Sequence, residues 1–253
     1  MTGSLSGTVA YTLSLAMSRP LLALARSLLD IIPAAVELPV LSGPMRGQRW
    51  VVGAGIHSCW LGVYEIDKQR LLQRLLCPGD VFYDVGAHAG LFTLLAARLV
   101  GKTGLVVAFE PLPANLAYLR RHAAANRLDN VQVVAAAVGS SEGQARFEVS
   151  GSTYMGAIAD GADLEVSMTT LDATLETGDA RTPSLIKIDV EGFEDAVLAG
   201  SLHLLRRYRP RVLLAVHSDA LKQRCIRRLA DLGYKGETFG PDPSELLFTP
   251  VRA

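Results

Sequence analysis

From Val81 onward, short runs of β-branched and other apolar residues alternate with stretches whose apolar positions recur every three or four residues. The first pattern reads as buried strand and the second as amphipathic helix. It predicts strand 81–86, helix 90–100, strand 105–110, helix 113–126 and strand 131–136. After an interruption it predicts strand 184–189, helix 193–207, strand 211–217 and helix 219–231. Such alternation builds a parallel sheet with right-handed helical crossovers. The two closing β pieces, 234–239 and 245–249, stand too close together for a crossover and predict an antiparallel edge. The expected fold is α/β, a doubly wound and mostly parallel sheet.

Two regions break the alternation. Between about 139 and 171, "QARFEV" and "LEVSMTTL" flank a stretch rich in Gly, Ser and Asp, which predicts an inserted hairpin. Before the sheet, residues 35–55 read as a hairpin around Ser42-Gly43-Pro44, and a helix follows from Tyr64 to near Cys77-Pro78-Gly79. The start, "TVAYTLSLAMSRPLLALARSLLDII", is apolar but interrupted by Arg19-Pro20, Arg26 and Asp30, so its apolar runs are too short to cross a bilayer. It reads as a helix with a boundary at Pro20, suited to covering the core or a second copy of the chain, with peripheral membrane contact as the other use. Residues 1–77 thus form a cap, and residues 78–253 the principal domain.

The 253 residues include 25 acidic and 25 basic side chains with no long basic run, so the electrostatic footprint for nucleic acid is missing and a small-molecule partner is expected. The three cysteines, Cys59, Cys77 and Cys225, are far apart and form no C-x-x-C pair. That argues against a zinc site or disulfide framework and fits a reducing cytoplasm.

"VFYDVGAHAG", residues 81–90, is a strand feeding a glycine turn and a helix, a place where backbone N–H groups and the helix dipole face a ligand. A dinucleotide fingerprint has glycine at its third position, where the pyrophosphate presses on the backbone; here His88 stands there, read as a polar loop residue. Asp84, two residues before Gly86, opposes a pyrophosphate and favours a cation. S-adenosylmethionine (SAM) has a sulfonium and an ammonium and no phosphate. Glu110 ends the second strand in "LVVAFEPLP", about twenty residues past the glycine turn, where an acid accepts hydrogen bonds from ribose hydroxyls. Asp84, Gly86, Gly90 and Glu110 therefore mark a nucleoside-ligand site, with an NAD-type oxidoreductase as the enzymatic alternative.

The second loaded stretch is "LIKIDVEGFE", residues 185–194. Asp189 closes an apolar strand, and ligands of open α/β sheets bind outside such ends. Glu191 either faces the same crevice or caps the following helix through its dipole. Lys187, inside the strand, reads as a buried partner for a carboxylate or as a sheet-edge charge. His217 ends the next strand and lies beside Asp189 if the two strands are neighbours. Methyl transfer from a sulfonium to a hydroxyl is an in-line displacement helped by alignment and by a general base, the role assigned to His217 or Asp189. Asp189, Glu191 and His217 also make a possible oxygen-rich cation site. Lacking a diagnostic spacing, that reading ranks below the base, and no metal is assigned.

Together, "VFYDVGAHAG", "FEPLPAN", "AVGSSEGQARF", "TTLD", "IKIDVEGFE" and the strand ending in His217 resemble, in this order, the FkbM family of SAM-dependent methyltransferases. The resemblance spans about residues 64–217. It implies a class I methyltransferase fold, SAM as donor and O-methylation of a small hydroxylated acceptor such as a sugar or polyketide-type metabolite. Asp84, Gly86 and Gly90 would hold the methionine part and Glu110 the ribose. The same motifs bring Ala87, His88, Pro111 and Asn115 into the cofactor-binding set. Asp189 joins that set from the acceptor side, where it acts with Glu191. One position departs: the family commonly has Glu two residues before the histidine, and this chain has Ala215. That departure supports a second alternative, a SAM-fold binding module without turnover. "WLGVYE" places Tyr64 and Glu65 over the cofactor, Trp60 and Tyr154 offer rings to an acceptor, and the cap and insertion form its walls. Assembly with further copies of the chain is compatible with all of this.

Overall fold

A computed structural model describes residues 29–150, 155–158, 164–176 and 181–251. The proposed N-terminal helix with its Pro20 boundary, and Tyr154, lie outside them. The central sheet is built on β3 (Val81–Val85), β4 (Leu105–Phe109), β5 (Val131–Val134), β10 (Leu185–Ile188), β11 (Arg211–Ala215), β12 (Tyr234–Thr238) and β13 (Glu245–Pro250). Their order is β12-β13-β11-β10-β3-β4-β5. Every pairing from β5 to β11 is parallel, and β13 runs antiparallel to both β11 and β12. The parallel pairings and the antiparallel edge, where the two closing β pieces predict it, match the sheet expected from the sequence. All five residues of β3 and all four of β10 are buried, as expected of strands covered on both faces.

The chain direction changes sides between β3 and β10, which are hydrogen-bonded neighbours: β4 and β5 go one way from β3, β11 the other. A crevice opens outside the carboxyl ends of strands at such a switch point. Helices α3 (Leu91–Val100) and α4 (Pro113–Ala125) follow β3 and β4. The helix predicted over 193–207 is two helices, α6 (Glu194–Ala199) and α7 (Leu202–Tyr208). They part at Gly200, where an added Cβ would lie 2.0 Å from the Gly139 carbonyl oxygen, so the insertion packs into the break. Helix α8 (Asp219–Asp231) has the predicted bounds, with the Ser218 side chain accepting from the Leu221 N–H at its start.

The insertion is more than a hairpin. Strands β6 (Ala137–Val138), β7 (Gly143–Ser150), β8 (Met155–Ile158) and β9 (Leu164–Thr169) form a second sheet in the order β6-β9-β7-β8, and α5 (Leu171–Glu176) leads back toward β10. The cap carries the antiparallel pair β1 (Glu37–Pro39) and β2 (Arg49–Val51), then α1 (His57–Leu61) and α2 (Ile66–Leu75). It has no core of its own: Met45, Trp50 and Leu72 share one apolar cluster with Phe82, Leu94 and Leu213. His122 of α4 fastens it, stacking on Trp50 at 4.1 Å and accepting the Val51 N–H at 2.9 Å. Trp60, expected to offer a ring to an acceptor, is 3% exposed in this cluster, with its indole N–H on His57 Nδ1. Among the described residues no helix is long and apolar enough to cross a membrane.

Candidate functional site

The turn after β3 has the backbone its glycines are needed for. Gly86 has φ +78°, and an added Cβ would lie 1.9 Å from the Asp189 carbonyl oxygen at the end of the neighbouring strand. Gly90, with φ +94°, starts α3 against α4, where a Cβ would meet Leu119 at 2.4 Å. The N–H groups of Gly86 and Ala87 donate to the Phe109 carbonyl. His88 adopts a left-handed φ of +52°, and its N–H donates to Glu110 Oε2 at 2.8 Å. The residue in place of the fingerprint's middle glycine thus ties the turn to the end of β4.

Glu110 is 4% exposed. Besides the His88 N–H it accepts from Leu112 N–H at 2.9 Å and from the Asn115 amide at 3.1 Å, both on Oε1. Burial pushes its carboxyl above the ordinary carboxylate range, partly offset by these bonds. Three donors leave part of the capacity of about four lone pairs for a further hydroxyl. Pro111 links this carboxylate to α4, whose first turn presents Asn115.

Asp84 is placed differently from its sequence reading. It is fully buried, accepts from Thr93 Oγ1 at 2.6 Å and pairs with Lys187 Nζ at 3.1 Å. Its charge is therefore compensated inside the protein, and the expected electrostatic preference for a cationic ligand loses its basis. Asp84 locks the glycine turn, because Lys187 also donates to the Gly86 carbonyl at 3.0 Å. Lys187 takes the buried-partner role of its two readings.

The adjacency of β10 and β11 brings Asp189, Glu191 and His217 together, with ligand atoms all within 4.8 Å of one another. His217 Nε2 lies 3.7 Å from Asp189 Oδ1 and 3.3 Å from Glu191 Oε2. Its Nδ1 meets Glu194 Oε1 at 2.8 Å, and the fully buried Glu194 also accepts the Gly192 N–H at 3.0 Å. The hydrogen bond to Glu194, with Asp189 and Glu191 adding to it against burial, raises the imidazole to about 9. That raised imidazole favours the protonated form near neutral pH, which weighs against the free-base reading of His217. Burial raises the Asp189 carboxyl, but Lys68, Lys187 and His217 outweigh it and hold it low; burial lifts that of Glu191.

Sequence reasoning missed Lys68, Thr93, Glu194 and Glu245, and it singled out Glu65 without its partner Lys68. Lys68, on α2 of the cap and 3% exposed, reaches Glu65 at 2.6 Å, Glu245 at 2.7 Å and Asp189 at 3.6 Å. Burial alone would depress its ammonium, and the carboxylates raise it well above its usual value instead. Both buried lysines lie over the Phe92 ring, at 5.3 and 5.6 Å. Glu245 stands directly across the β11–β13 pair from Ala215. The carboxylate this chain lacks at position 215 thus has a cross-strand counterpart. The last letter of "IKIDVEGFE" was the available signal for Glu194; the lysine and its acids carry no local pattern.

The Methyltransferase FkbM domain matches residues 84–239, from the buried aspartate of β3 to just past β12. The chain is 47% identical over 62 residues to the 31-O-demethyl-FK506 methyltransferase FkbM of Streptomyces tacrolimicus, covering 23% of this chain and 24% of that one. It is 28% identical over 145 residues to the hexuronic acid methyltransferase AglP of Haloferax volcanii, covering 56% and 58%. The matches thus span under two thirds of either relative. A crystal structure of a methyltransferase FkbM from Methylobacillus flagellatus KT aligns with 16% identity and a TM-score of 0.49, over 76% of this chain and 53% of that one. With the matched domain running through the glycine turn, Glu110 and the Asp189–His217 cluster, the chain belongs to the FkbM methyltransferase family.

Proposed function

We propose that the protein is a SAM-dependent O-methyltransferase acting on a hydroxyl of a small acceptor, a sugar or a glycosylated or polyketide-type metabolite. The observation that carries the reading is the close approach of the Gly86 turn to the Asp189 backbone, which puts a donor-side loop beside three polar side chains at the sheet's switch point. The relatives' names, a hexuronic acid methyltransferase and a 31-O-demethyl-FK506 methyltransferase, support the acceptor class.

The chain's residues suit SAM. Glu110 retains acceptor capacity for a ribose hydroxyl, Asn115 and the His88 N–H hold that carboxylate in place, and Ala87 and Gly90 pack the turn against Leu119 of α4. Pro111 fixes the exit from β4. When bound, SAM would supply an electrophilic methyl on its sulfonium. The protein's part is chiefly alignment of the acceptor oxygen, which supplies most of the help in such a displacement. Asp189, held ionised by Lys68, Lys187 and His217, orients the acceptor hydroxyl. Glu191, whose carboxyl burial raises, takes the proton as charge develops, and His217 keeps the two acids from repelling each other. Asp189 borders the glycine turn through its backbone at Gly86.

Calorimetry with S-adenosylhomocysteine and, separately, NAD tests the donor. Micromolar binding of the first, none of the second, and a loss of at least tenfold in Glu110→Ala are expected, since a charge-assisted hydrogen bond contributes about 1.5–3 kcal/mol. The variant's melting curve separates lost contact from lost fold. NAD binding, or no binding by wild type, overturns the reading. Transfer of labelled methyl to a panel of uronic acid glycosides and macrolide alcohols then identifies the acceptor.

A further inference from the structure

We infer that Asp189, Glu191 and His217 form a divalent-cation site, of the Mn²⁺ or Mg²⁺ class, that receives two adjacent oxygens of the acceptor. The inference rests on the methyltransferase reading for its substrate half only. The distances are the first argument. A charge-assisted hydrogen bond is about 2.7–2.9 Å long, whereas His217 Nε2 stands 3.3 Å from Glu191 and 3.7 Å from Asp189. Ligands about 2.1 Å from one ion and at 90–109° to each other lie about 3.0–3.4 Å apart. The cluster is spaced nearer to the edges of a coordination shell than to a set of hydrogen bonds.

The charge balance is the second argument. Lys68 is matched by Glu65 and Glu245, and Lys187 by Asp84. The lysines reach Asp189 only at 3.6 and 4.0 Å, beyond their closer partners, so six carboxylates (Glu65, Asp84, Asp189, Glu191, Glu194 and Glu245) face three basic groups, Lys68, Lys187 and His217. Glu194 Oε2 is moreover buried with no hydrogen-bond partner among the described residues, the kind of orphan that an ion or ordered water resolves.

The orientation of the imidazole is the third. A buried carboxylate on Nδ1 fixes that nitrogen as the donor and turns Nε2 toward the two other acids, the arrangement that supports a metal-bound histidine. Three protein ligands leave positions open, as Mg²⁺ and Mn²⁺ sites do. A vicinal diol or a hydroxy acid would fill two of them, which acidifies the hydroxyl to be methylated and selects chelating acceptors over isolated alcohols.

The test uses the full chain stripped with EDTA and titrated with Mn²⁺, free ion being followed by electron paramagnetic resonance. One Mn²⁺ per chain, displaced by excess Mg²⁺ and weakened at least tenfold in both Glu191→Gln and Glu194→Gln, supports the site. Melting curves of both variants confirm that they fold, and the half-exposed Glu191 keeps the test intact if Glu194→Gln does not. No saturable binding, or binding that both variants leave unchanged, overturns it. S-adenosylhomocysteine calorimetry in EDTA reports on the methyltransferase reading by itself: binding there with no Mn²⁺ site sinks the cation and spares the enzyme.

Discussion

Lys187→Met tests whether Asp84 is a structural anchor. Asp84 and Lys187 are 0% and 3% exposed and 3.1 Å apart. The substitution leaves the carboxylate in the core with the Thr93 hydroxyl as a hydrogen-bond donor. Stranding one member of a buried pair costs about 3–5 kcal/mol, and losing the ammonium over Phe92 removes a further contact. The expected loss is about 4 kcal/mol. At about 2–4 °C per kcal/mol for a chain of this size, the melting temperature falls by about 10 °C. The double variant Asp84→Asn/Lys187→Met removes both charges and keeps a hydrogen-bonding group for Thr93, so it should recover at least half of that loss. Urea unfolding followed by circular dichroism measures all three proteins. A loss below about 1 kcal/mol for Lys187→Met, or a double variant no better than the single, would refute the argument and return Asp84 to the ligand.

Two further outcomes follow from the same geometry. Gly86→Ala forces a left-handed residue, at about 1–2 kcal/mol, and drives a methyl into the Asp189 carbonyl. It should lower stability by more than 2 kcal/mol and S-adenosylhomocysteine affinity at least tenfold, and wild-type values in melting and calorimetry would count against the close approach. His122 is depressed to about 4, chiefly by burial, although its bond to the Ala89 carbonyl works the other way. The unfolded chain takes up this proton near 6.5, so the contribution of His122 is complete above 6.5 and is lost as the pH falls toward 4, with about 2 kcal/mol lost between pH 7 and pH 5. Unfolding free energies from urea curves at the two pH values should differ by that much more in wild type than in His122→Gln; equal differences would place the imidazole in water.

The sheet was legible because β3, β4, β10 and β11 are compact, largely buried apolar runs, as strands covered on both faces are. Boundaries moved by one or two residues where the last strand position turns out toward the crevice, as at Asp189 and His217, which lie just past the strand ends. The broken helix at Gly200 was hidden because its cause, a carbonyl of Gly139, comes from another part of the chain. The same holds for Asp84. Its position at a strand end signals a ligand-facing acid, and only the parallel register of β3 with β10 shows that Lys187 sits opposite it.

The histidine shows why a site's residue types are easier to read than their protonation. "IKIDVEGFE" and "VHS" put an imidazole near carboxylates, and proximity alone is compatible with a base, an acid or a ligand. What decides between them is the number of carboxylates and how each is already paired. Glu194 comes from the first turn of α6 and takes Nδ1. Glu245 comes from β13, thirty residues beyond Ala215, and takes Lys68 from the cap. Lys68 in turn reaches the oxygen of Asp189 that faces away from His217. The cap helix, the antiparallel edge and the helix after β10 therefore act on one carboxylate from different sides. Asp189 stays ionised because two lysines outvote its burial, and His217 holds a proton because three acids surround it. A general base is then the one role this arrangement disfavours for the histidine.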